Sequence, residues 1–577
     1  MTSRSLSQPL VGPSYSIYTI LWIFFLYLSP VANALAYPPQ KPLVETQAPD
    51  DLSPNTLDVL SGDTGFEDSH AAPSETLQNL LRALRGMQDH YFVNWLGTWP
   101  SSIDWTAAVL GTHVVATLAS YTSVVPDTVD DDVDDEQSSY EPLSLAVENN
   151  INKYFSQMTS FYFGENAFSL RNQAYDDMLW VVLDWLENVK FQDLHTDLHY
   201  PSSDPTSDNS WYGTQFRTSA AHRARIFYEL ASAGWDKTLC GGGMIWNPTL
   251  IPYKNAITNE LYISASIAMY LYFPGDPIES PFMAESLANE TYPHNPAHLK
   301  AAVDAYSWLK SSNMTGAGGL YADGFHISGW QSSTNPGTRK CDVLNKMVYT
   351  YNQGVVLSGL RGLWIGTGDQ DYLRDGHELI HKVLRATGWP QTSSYKWAGL
   401  GRGGVLEEAC DSHSSCSQNG QTFKGIFFHH LTEFCRPLRP QEERFLDSEK
   451  RQPVAKEKWA EVYNRHLSRC RTYGPWIEHN AKAALMTRDD DGKFGTWWGI
   501  QFQQPPSNAS EDTVNSSTLP VDAVDYRNDL LEPVSLAFDG VPRDFNDRGR
   551  GRTVETQSGG VAVLRALYQW QTCDVLS

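Results

Sequence analysis

The sequence predicts an all-α protein. Apolar residues recur every three or four positions along most of the chain from Ser74 onward, which is the period of a helix. Strand-like alternation is rare and short, and the repeated alternation of strands with helices that builds a parallel sheet is absent. Apolar residues make up 41% of the chain and charged residues 19%, the composition of a folded protein.

The apolar period divides into 13 helical segments separated by long loops. Leu77, Leu80, Leu81, Leu84 and Met87 form one face of the first segment. The others cover residues 104–121, 142–160, 174–190, 215–233, 254–273, 296–311, 351–366, 370–387, 421–434, 454–470, 475–487 and 557–571. About a dozen helices is the number that six helical hairpins need to close a ring, the (α/α)6 barrel, although solenoids and bundles fit the count as well.

Three regions divide the chain. The apolar run 18–28 and the small residues Ala32, Ala34 and Ala36 predict a signal peptide over residues 1–36. A signal anchor is the alternative, because Arg4 is the only basic residue before the run. Residues 37–73 are rich in Pro, Ser, Thr and Asp and are expected to form a disordered linker, and residues 74–577 are expected to form the helical domain.

Other features agree with export, to the extracellular space or the cell wall. Glycosylation sequons stand at Asn289, Asn313, Asn508 and Asn515. The chain has seven cysteines and no CxxC pair, and Cys410 with Cys416 is the easiest disulfide to propose. The C-terminus lacks the hydrophobic tail of a GPI signal, so no such anchor is expected. A membrane role is expected only if the N-terminal segment is retained, and we expect a monomer.

Charge and composition restrict the classes of molecule that the protein is expected to bind. A net charge of −24 disfavours nucleic acid, because an acidic surface repels phosphates. The 19 tryptophans fit either a large aromatic core or a cleft in which indole faces stack on sugar rings. No cluster of His, Cys and carboxylates has the spacing of a catalytic metal site, so neither a metal nor another cofactor is expected.

Two adjacent carboxylates, Asp176 and Asp177, begin a strongly apolar helix. Acidic residues are common in a first helical turn because the helix dipole stabilises them, so a structural role is one interpretation. Carboxyl groups on neighbouring residues can also stand ~5–5.5 Å apart, the separation of a retaining glycosidase pair. At that distance both cannot ionise cheaply, which leaves one charged and one protonated acid, as glycosidic cleavage requires.

Six further motifs accompany the Asp pair in YDDMLW. They are CGGGMIWNPTLIPYKNAITNELY at 240–262, GGLYADGF at 318–325, YTYNQG at 349–354, FKGIFF at 423–428, DGKFGTWWG at 491–499 and TQSGGVAVLRAL at 556–567. In this order they resemble glycoside hydrolase family 76, the α-1,6-mannanases, over about residues 74–577.

The resemblance implies an (α/α)6 barrel and a secreted hydrolase that cleaves α-1,6-linked mannan or manno-oligosaccharides with retention of configuration. It implies that Asp176 is the nucleophile and Asp177 the general acid/base, an order that the residues alone do not give. Because the family also includes cell-wall transglycosylases thought to be GPI-anchored, transfer onto mannan or a GPI-glycan remains an alternative.

Other polar and aromatic residues in these motifs are candidates for sugar binding. Trp246 follows three glycines and is a candidate stacking platform, and Asp323 lies in a Gly-flanked turn. The remaining candidates are Asn259, Glu260, Tyr351, Asn352 and Gln353, for which hydrogen bonding within the core is the alternative. Lys424 at a helix start is disfavoured by the dipole and predicts a specific partner.

Three rival functions fit the sequence less well. A terpene synthase or prenyltransferase needs a third carboxylate for magnesium, and Trp180 stands at that position. A polysaccharide lyase needs basic groups for a uronate, which this acidic chain does not favour. A catalytically silent wall-binding protein would not need the intact Asp176–Asp177 pair.

Overall fold

The computed structural model describes residues 71–123, 141–160, 173–200, 211–278, 292–447, 453–502, 519–528 and 544–575. The predicted signal peptide and nearly all of the predicted linker lie outside these residues. Within them the backbone forms 14 α-helices and five short strands. The helices are α1 (Ala71–Tyr91), α2 (Asp104–Thr122), α3 (Glu141–Thr159), α4 (Tyr175–His199), α5 (Arg217–Ser232), α6 (Ala256–Tyr272), α7 (Pro296–Ser311), α8 (Thr350–Thr367), α9 (Asp371–Ala386), α10 (Gln418–Cys435), α11 (Pro440–Asp447), α12 (Pro453–Arg471), α13 (Gly474–Leu485) and α14 (Val554–Val575).

Six of these helices form a closed inner ring. In the order α2, α4, α6, α8, α10 and α14, each helix contacts the next, and α14 contacts α2. The inner helices are buried on nearly all sides, as α8 is from Thr350 to Leu357. Helices α1, α3, α5, α7, α9 and α13 pack outside the ring and turn charged residues to solvent. This arrangement confirms the (α/α)6 barrel.

Helix α11 (Pro440–Asp447) lies between the predicted helical segments 421–434 and 454–470, where the sequence predicts only a connecting loop, and so corrects that expectation. Its sequence, PQEERFLD, is too short and too polar to give an apolar period. The helix is instead held by charge: buried Glu442 pairs with Arg361 at 3.0 Å and with Arg436 at 2.5 Å. Helix α1 begins at Ala71, three residues before the expected boundary. No helix among the described residues is both long enough and apolar enough to cross a membrane.

The inner helices approach one another closely. A Cβ atom on Gly354 of α8 would stand 2.6 Å from the Cα of Phe427 on α10. Real Cβ atoms do not come this near to a main-chain atom, so the two helices can lie at this distance only because residue 354 has no side chain.

A buried charge cluster fills the barrel at the C-terminal halves of the inner helices. Glu433 on α10 accepts hydrogen bonds from Lys190 at 3.0 Å, Arg436 at 2.8 Å and Arg565 at 2.7 Å. Buried charges of this kind are tolerated when they are fully paired. The charge cluster therefore lies at this end of the barrel interior, and the opposite end carries the polar residues described next.

A small antiparallel sheet lies at the N-terminal ends of α6 and α8. Its strands are β1 (Lys254–Asn255), β2 (Gly324–His326) and β3 (Val343–Asn345), with Asn255 opposite Gly324 and Gly324 opposite Asn345. Strand β1 runs directly into α6, so the sheet brings Asp323 beside the starts of two inner helices. Strands β4 (Gly401–Arg402) and β5 (Val405–Leu406) form a separate hairpin.

Candidate active site

The Asp pair lies in the first turn of α4. The helix begins at Tyr175, whose N–H donates to the carbonyl of Trp246 at 2.8 Å, so a neighbouring loop rather than a capping side chain fixes its start. Asp176 is buried with 3% of its surface exposed, whereas Asp177 is partly exposed. Two chemically identical neighbours therefore have different surroundings.

Both carboxylate oxygens of Asp176 are hydrogen-bonded. The main-chain N–H of Asp177 donates to Oδ1 at 3.1 Å, and the guanidinium of Arg527 donates to Oδ2 at 3.1 Å. Burial raises the pKa of Asp176 above its ordinary value, and Arg527 reduces that rise. The carboxylate is thus held in one orientation beside a cation.

Arg527 connects the Asp pair to other candidate residues. Its guanidinium lies 5.2 Å from the ring centroid of Trp246, within cation–π distance. Burial lowers the pKa of Arg527, but Tyr351, Asp176 and Asp323 around it outweigh burial and hold that pKa well above its ordinary value. The side chain is 18% exposed, so a charged guanidinium lies inside the site.

Asp323 presents a carboxylate oxygen with no partner among the described residues. The hydroxyl of Tyr253 donates to its Oδ2 at 2.6 Å, and the amide of Asn345 donates to the same atom at 3.1 Å. Oδ1 is buried and accepts no hydrogen bond from the part of the chain that the structure describes. A buried acceptor without a donor is costly, so this atom is suited to receive a ligand hydroxyl.

Aromatic rings from four inner helices meet beneath the Asp pair. Trp105 of α2 stacks on Trp180 of α4 with ring centroids 5.6 Å apart. Tyr351 of α8 stacks on Phe423 of α10 at 3.9 Å, and Trp105 lies 6.3 Å from Phe423. These four rings form an apolar cluster, which we call the aromatic floor, and Trp180 in it follows the Asp pair by about one turn of α4.

The sequence match extends over most of the barrel. Residues 82–473 match the family described as glycosyl hydrolase family 76, which is more than half of the chain. The chain belongs to glycosyl hydrolase family 76. The match confirms the resemblance to the family and contains five of the seven motifs; the motifs at 491–499 and 556–567 lie beyond it.

This family 76 protein is similar to fungal proteins named mannan endo-1,6-alpha-mannosidase DCW1. It is 21% identical to the one from Candida glabrata, over 46% of this chain and 54% of that protein. It is 22% identical to the one from Saccharomyces cerevisiae, over 46% of this chain and 53% of that protein. The chain thus spans about half the length of these curated relatives.

Solved structures with related backbones include the GH76A α-1,6-mannanase from Salegentibacter sp. HEL1_6, at 16% identity and a TM-score of 0.44, covering 85% of this chain and 98% of that one. Another is Dfg5 from Chaetomium thermophilum in complex with glucosamine, at 14% identity and a TM-score of 0.49, covering 86% and 90%. Neither likeness assigns a substrate to this family 76 protein.

Two of the predicted sugar-binding amides of the family 76 barrel are occupied by main-chain groups. Asn259 accepts from the N–H of Met244 at 2.7 Å and donates to the carbonyl of Asn255 at 2.7 Å. Gln353 accepts from the N–H of Tyr321 at 2.9 Å and donates to its carbonyl at 2.9 Å. The structure therefore favours the alternative for both, in which they brace the loops that carry Trp246 and Asp323.

Glu260 and Asn352 are buried and have side-chain polar atoms without partners among the described residues. Burial raises the pKa of Glu260 well above its ordinary value, which favours its neutral form. Tyr351 lies on the aromatic floor close to Arg527, and Trp246 has one ring face covered by that guanidinium. Their part in sugar binding stays a prediction.

The structure pairs Cys410 with Cys416, the pair singled out from the sequence, with Cα atoms 4.9 Å apart. It also pairs Cys240 with Cys341 and Cys435 with Cys470. Two clusters within the described residues have metal-ligand geometry, His377–His466–Cys470 and Cys410–Asp411–Cys416, but their cysteines are in disulfides.

Of the four predicted glycosylation sites, Asn313 is exposed, while Asn289, Asn508 and Asn515 lie outside the described residues.

Sequence reasoning missed Arg527 and Glu408. Arg527 lies in a polar stretch without apolar period, 351 residues from the carboxylate it contacts. Glu408 accepts from the N–H of Thr350 at 2.9 Å and so anchors the first turn of α8, and burial raises its pKa to about 8. An arginine among the Pro, Asp and Asn residues of 503–552 was visible in the sequence, but nothing there indicated which carboxylate it would meet.

Proposed function

We propose that this protein is a retaining glycoside hydrolase that cleaves α-1,6-mannosidic linkages in mannan. The observation that carries the proposal is the Asp176–Asp177 pair at the start of α4, one carboxyl buried and fixed and the other partly exposed. Membership of family 76 and the names of the fungal relatives support mannan as the substrate.

The surroundings of the two aspartates support distinct roles. Asp176 has both oxygens in hydrogen bonds and lies next to a guanidinium, which suits a nucleophile that must be charged and fixed in direction. Asp177 is partly exposed, which suits a general acid/base that exchanges protons with water. Asp176 is accordingly the nucleophile in this proposal and Asp177 the acid/base.

The reaction takes two steps. First, an oxygen of Asp176 bonds to the anomeric carbon while the bond to the leaving oxygen breaks, and Asp177 gives its proton to that oxygen. Next, Asp177 takes a proton from water as the water oxygen bonds to the anomeric carbon and the bond to Asp176 breaks. Two inversions give net retention, and both aspartates return to their starting states.

Substrate contacts follow from the unpaired and aromatic groups. A sugar hydroxyl donates a hydrogen bond to Oδ1 of Asp323, because this buried acceptor has no partner among the described residues. Trp246 offers a sugar the ring face that Arg527 does not cover. In this proposal a mannose ring lies between the aromatic floor and the small sheet.

Variants of the two aspartates test the proposal. Asp176→Ala should lose nearly all activity on α-1,6-mannan and on activated aryl α-mannosides, since no other group forms the intermediate. Asp177→Ala should lose roughly 10²–10⁴-fold on mannan, yet keep activity on an aryl mannoside whose leaving group needs no proton. Azide should accelerate this variant and yield the α-mannosyl azide.

Asp193→Asn is a matched control on the same helix, because Asp193 pairs with Arg217 near the far end of α4. If Asp176→Ala with azide instead gave the α-azide and Asp177→Ala gave the inverted β-azide, the two roles would be exchanged. Near-normal activity of both Ala variants would return the pair to a structural role at the start of α4. A wild type without activity on α-1,6-mannan would instead favour the silent wall-binding protein. Products from linear α-1,6-manno-oligosaccharides, with and without an acceptor sugar, separate hydrolysis from transglycosylation.

The proposed route uses two carboxyl groups and needs no metal. Prolonged chelation should therefore leave the rate on mannan nearly unchanged. Loss of activity that one cation restores would contradict this part of the proposal.

Export is part of the same proposal. A substrate in the cell wall requires an enzyme outside the membrane, and the three disulfides of the described residues fit an oxidising compartment. N-terminal sequencing of secreted protein should find a start near Leu35 or Tyr37. A membrane-bound product that retains Met1 would favour the signal anchor.

A further inference from the structure

We propose that Arg527 is a positioning residue that holds the Asp176 carboxylate ionised and aimed along one direction in the free enzyme. The inference rests on the proposed function and assigns to it a residue from outside the family motifs. Its basis is the contact between the guanidinium and Asp176 Oδ2 at 3.1 Å, inside a site where charge is poorly screened.

The segment that carries Arg527 is built into the barrel mouth from one side. Asn345 of β3 accepts from the N–H of Val524 at 2.8 Å and donates to its carbonyl at 2.9 Å. The hydroxyl of Tyr349 donates to Asp525 Oδ1 at 2.7 Å. These bonds fix residues 524–525 against β3 and against Tyr349, both of which precede α8 in the chain.

The N-cap of α10 holds the same segment from the other side. The hydroxyl of Ser417 donates to the carbonyl of Arg527 at 2.7 Å, and its N–H donates to Asn528 Oδ1 at 2.9 Å. A Cβ on Gly420 would stand 2.4 Å from that same oxygen, so α10 leaves room for Asn528. The main chain of Arg527 is therefore fixed before any substrate arrives, as a positioning group requires.

The side chain of Arg527 is held as firmly as its main chain. The guanidinium stacks 5.2 Å from the centroid of Trp246 and bonds to Asp176, so two contacts fix its plane. The charged or titratable groups around it are Asp176 on α4, Tyr351 on α8, Asp323 beside β2, Tyr349 before α8 and Tyr253 before β1. Asp177 is the next residue after Asp176 on α4. Within this group of described residues Arg527 is the cation.

Removing the guanidinium should favour the protonated form of Asp176. Burial already raises the pKa of this carboxyl, and Arg527 opposes the rise, so its loss lets the pKa rise further. A protonated Asp176 cannot attack the anomeric carbon. Arg527→Met should therefore shift the acidic limb of the kcat/KM profile to higher pH and lower kcat by roughly 10²-fold, with KM little changed.

The conservative variant separates charge from packing. Arg527→Lys keeps a cation at this position, so its acidic limb should return toward that of the wild type even if kcat stays low. Arg548→Met is the matched control, because Arg548 also packs on an aromatic ring, 4.6 Å from the centroid of Phe545. It should leave the pH profile unchanged.

A stability measurement tests the same pair without any substrate. A carboxyl whose pKa rises on folding makes the fold less stable as the pH rises through that range. Arg527→Met should consequently lower the urea midpoint more at pH 7 than at pH 4. The difference between the two pH values should become smaller when Arg527→Met is made in an Asp176→Asn background. The difference that remains is attributed to Asp323, the other carboxyl beside Arg527.

The two readouts distinguish the possible failures. An inactive wild type whose urea midpoints still show the Arg527–Asp176 coupling would overturn the proposed function and leave the pair intact. If the wild type is active, the inference would be overturned by an Arg527→Met variant with the wild-type acidic limb of kcat/KM. Its urea midpoint would also have to fall equally at pH 4 and pH 7. In that case Arg527 would only brace the segment.

Discussion

Lys424 donates a hydrogen bond to Asp411 at 2.5 Å, and both side chains are almost completely buried. The lysine lies in the first half of α10, where the helix dipole disfavours a cation, and the partner that the sequence predicted for it is this carboxylate. Asp411 in turn accepts from the N–H of Glu408 at 3.1 Å, so the pair supports the residue that anchors α8.

Lys424→Met should destabilise the protein by about 3–5 kcal/mol, because it leaves a buried carboxylate without its cation. Equilibrium unfolding in urea measures the loss. The control is Lys300→Met, which breaks an ion pair of the same length, 2.5 Å, with both side chains more than half exposed. That variant should stay within about 1 kcal/mol of wild type, and an equal loss in both variants would contradict the role of burial.

Buried histidines should make the fold acid-sensitive. Burial lowers the pKa of His377 to about 2 and that of His466 to about 3, both from an ordinary value of 6.5. The unfolded chain takes up these protons below pH 6.5 and the folded chain does not, so stability falls as the pH falls. Each such histidine contributes about 1.4 kcal/mol per pH unit in that range.

His377→Gln should reduce the loss of stability between pH 6 and pH 4. Loss of the hydrogen bonds from His377 to Tyr473 and His466 should also weaken the fold at every pH. Urea midpoints at the two pH values give the difference directly. Exposed His294 is the control, and His294→Gln should keep the wild-type loss. An unchanged loss in His377→Gln would mean that other groups cause the acid sensitivity.

Gly354→Ala should destabilise the barrel by about 1–3 kcal/mol, because the new methyl group would lie 2.6 Å from the main chain of Phe427 and force α8 from α10. Thermal unfolding measures the effect. Gly559→Ala is the matched change on inner helix α14, where the nearest atom would be 3.5 Å away on Trp498. It should be neutral or stabilising, since alanine favours a helix.

Loss of the Cys240–Cys341 disulfide should destabilise the fold more than loss of Cys410–Cys416. The first spans 101 residues of sequence and the second only 6, so the first restricts the unfolded chain more. The chain-entropy relation gives roughly 4–5 kcal/mol for the first and roughly 2 kcal/mol for the second. Unfolding of the two double Cys→Ser variants tests this order, and the reverse order would show that local packing dominates.

Helix positions were predictable because the outer helices carry an apolar face of helical period and the inner helices carry long, largely apolar runs. The first turn of α4 was predictable for the same reason, since Asp176 and Asp177 precede an unbroken apolar run. Helix α11 escaped prediction because buried charge, in the form of Glu442 with Arg361 and Arg436, takes the place of an apolar face.

The direction of polar side chains could not be predicted. Asn259 and Gln353 stand in the same motifs as Glu260 and Asn352, yet the first two bond to main-chain groups and the others do not. What decides between these outcomes is the path of a loop distant in sequence, such as the one that brings Met244 to Asn259. Arg527 was hidden for the same reason, because its partner is set by the closed ring and not by any local pattern.

Closure of the ring also constrains how the chain can fold during synthesis. Thr106 at the start of α2 bonds to Glu555 at the start of α14, 449 residues later, and Gln557 bonds to Ala83 across 474 residues. The contact between α2 and α14 cannot form until α14 has left the ribosome. Contacts between residues this distant in sequence also form slowly. The other five inner helices carry apolar residues that only the closed ring buries, so this barrel should depend on chaperones that shield them until α14 has been made.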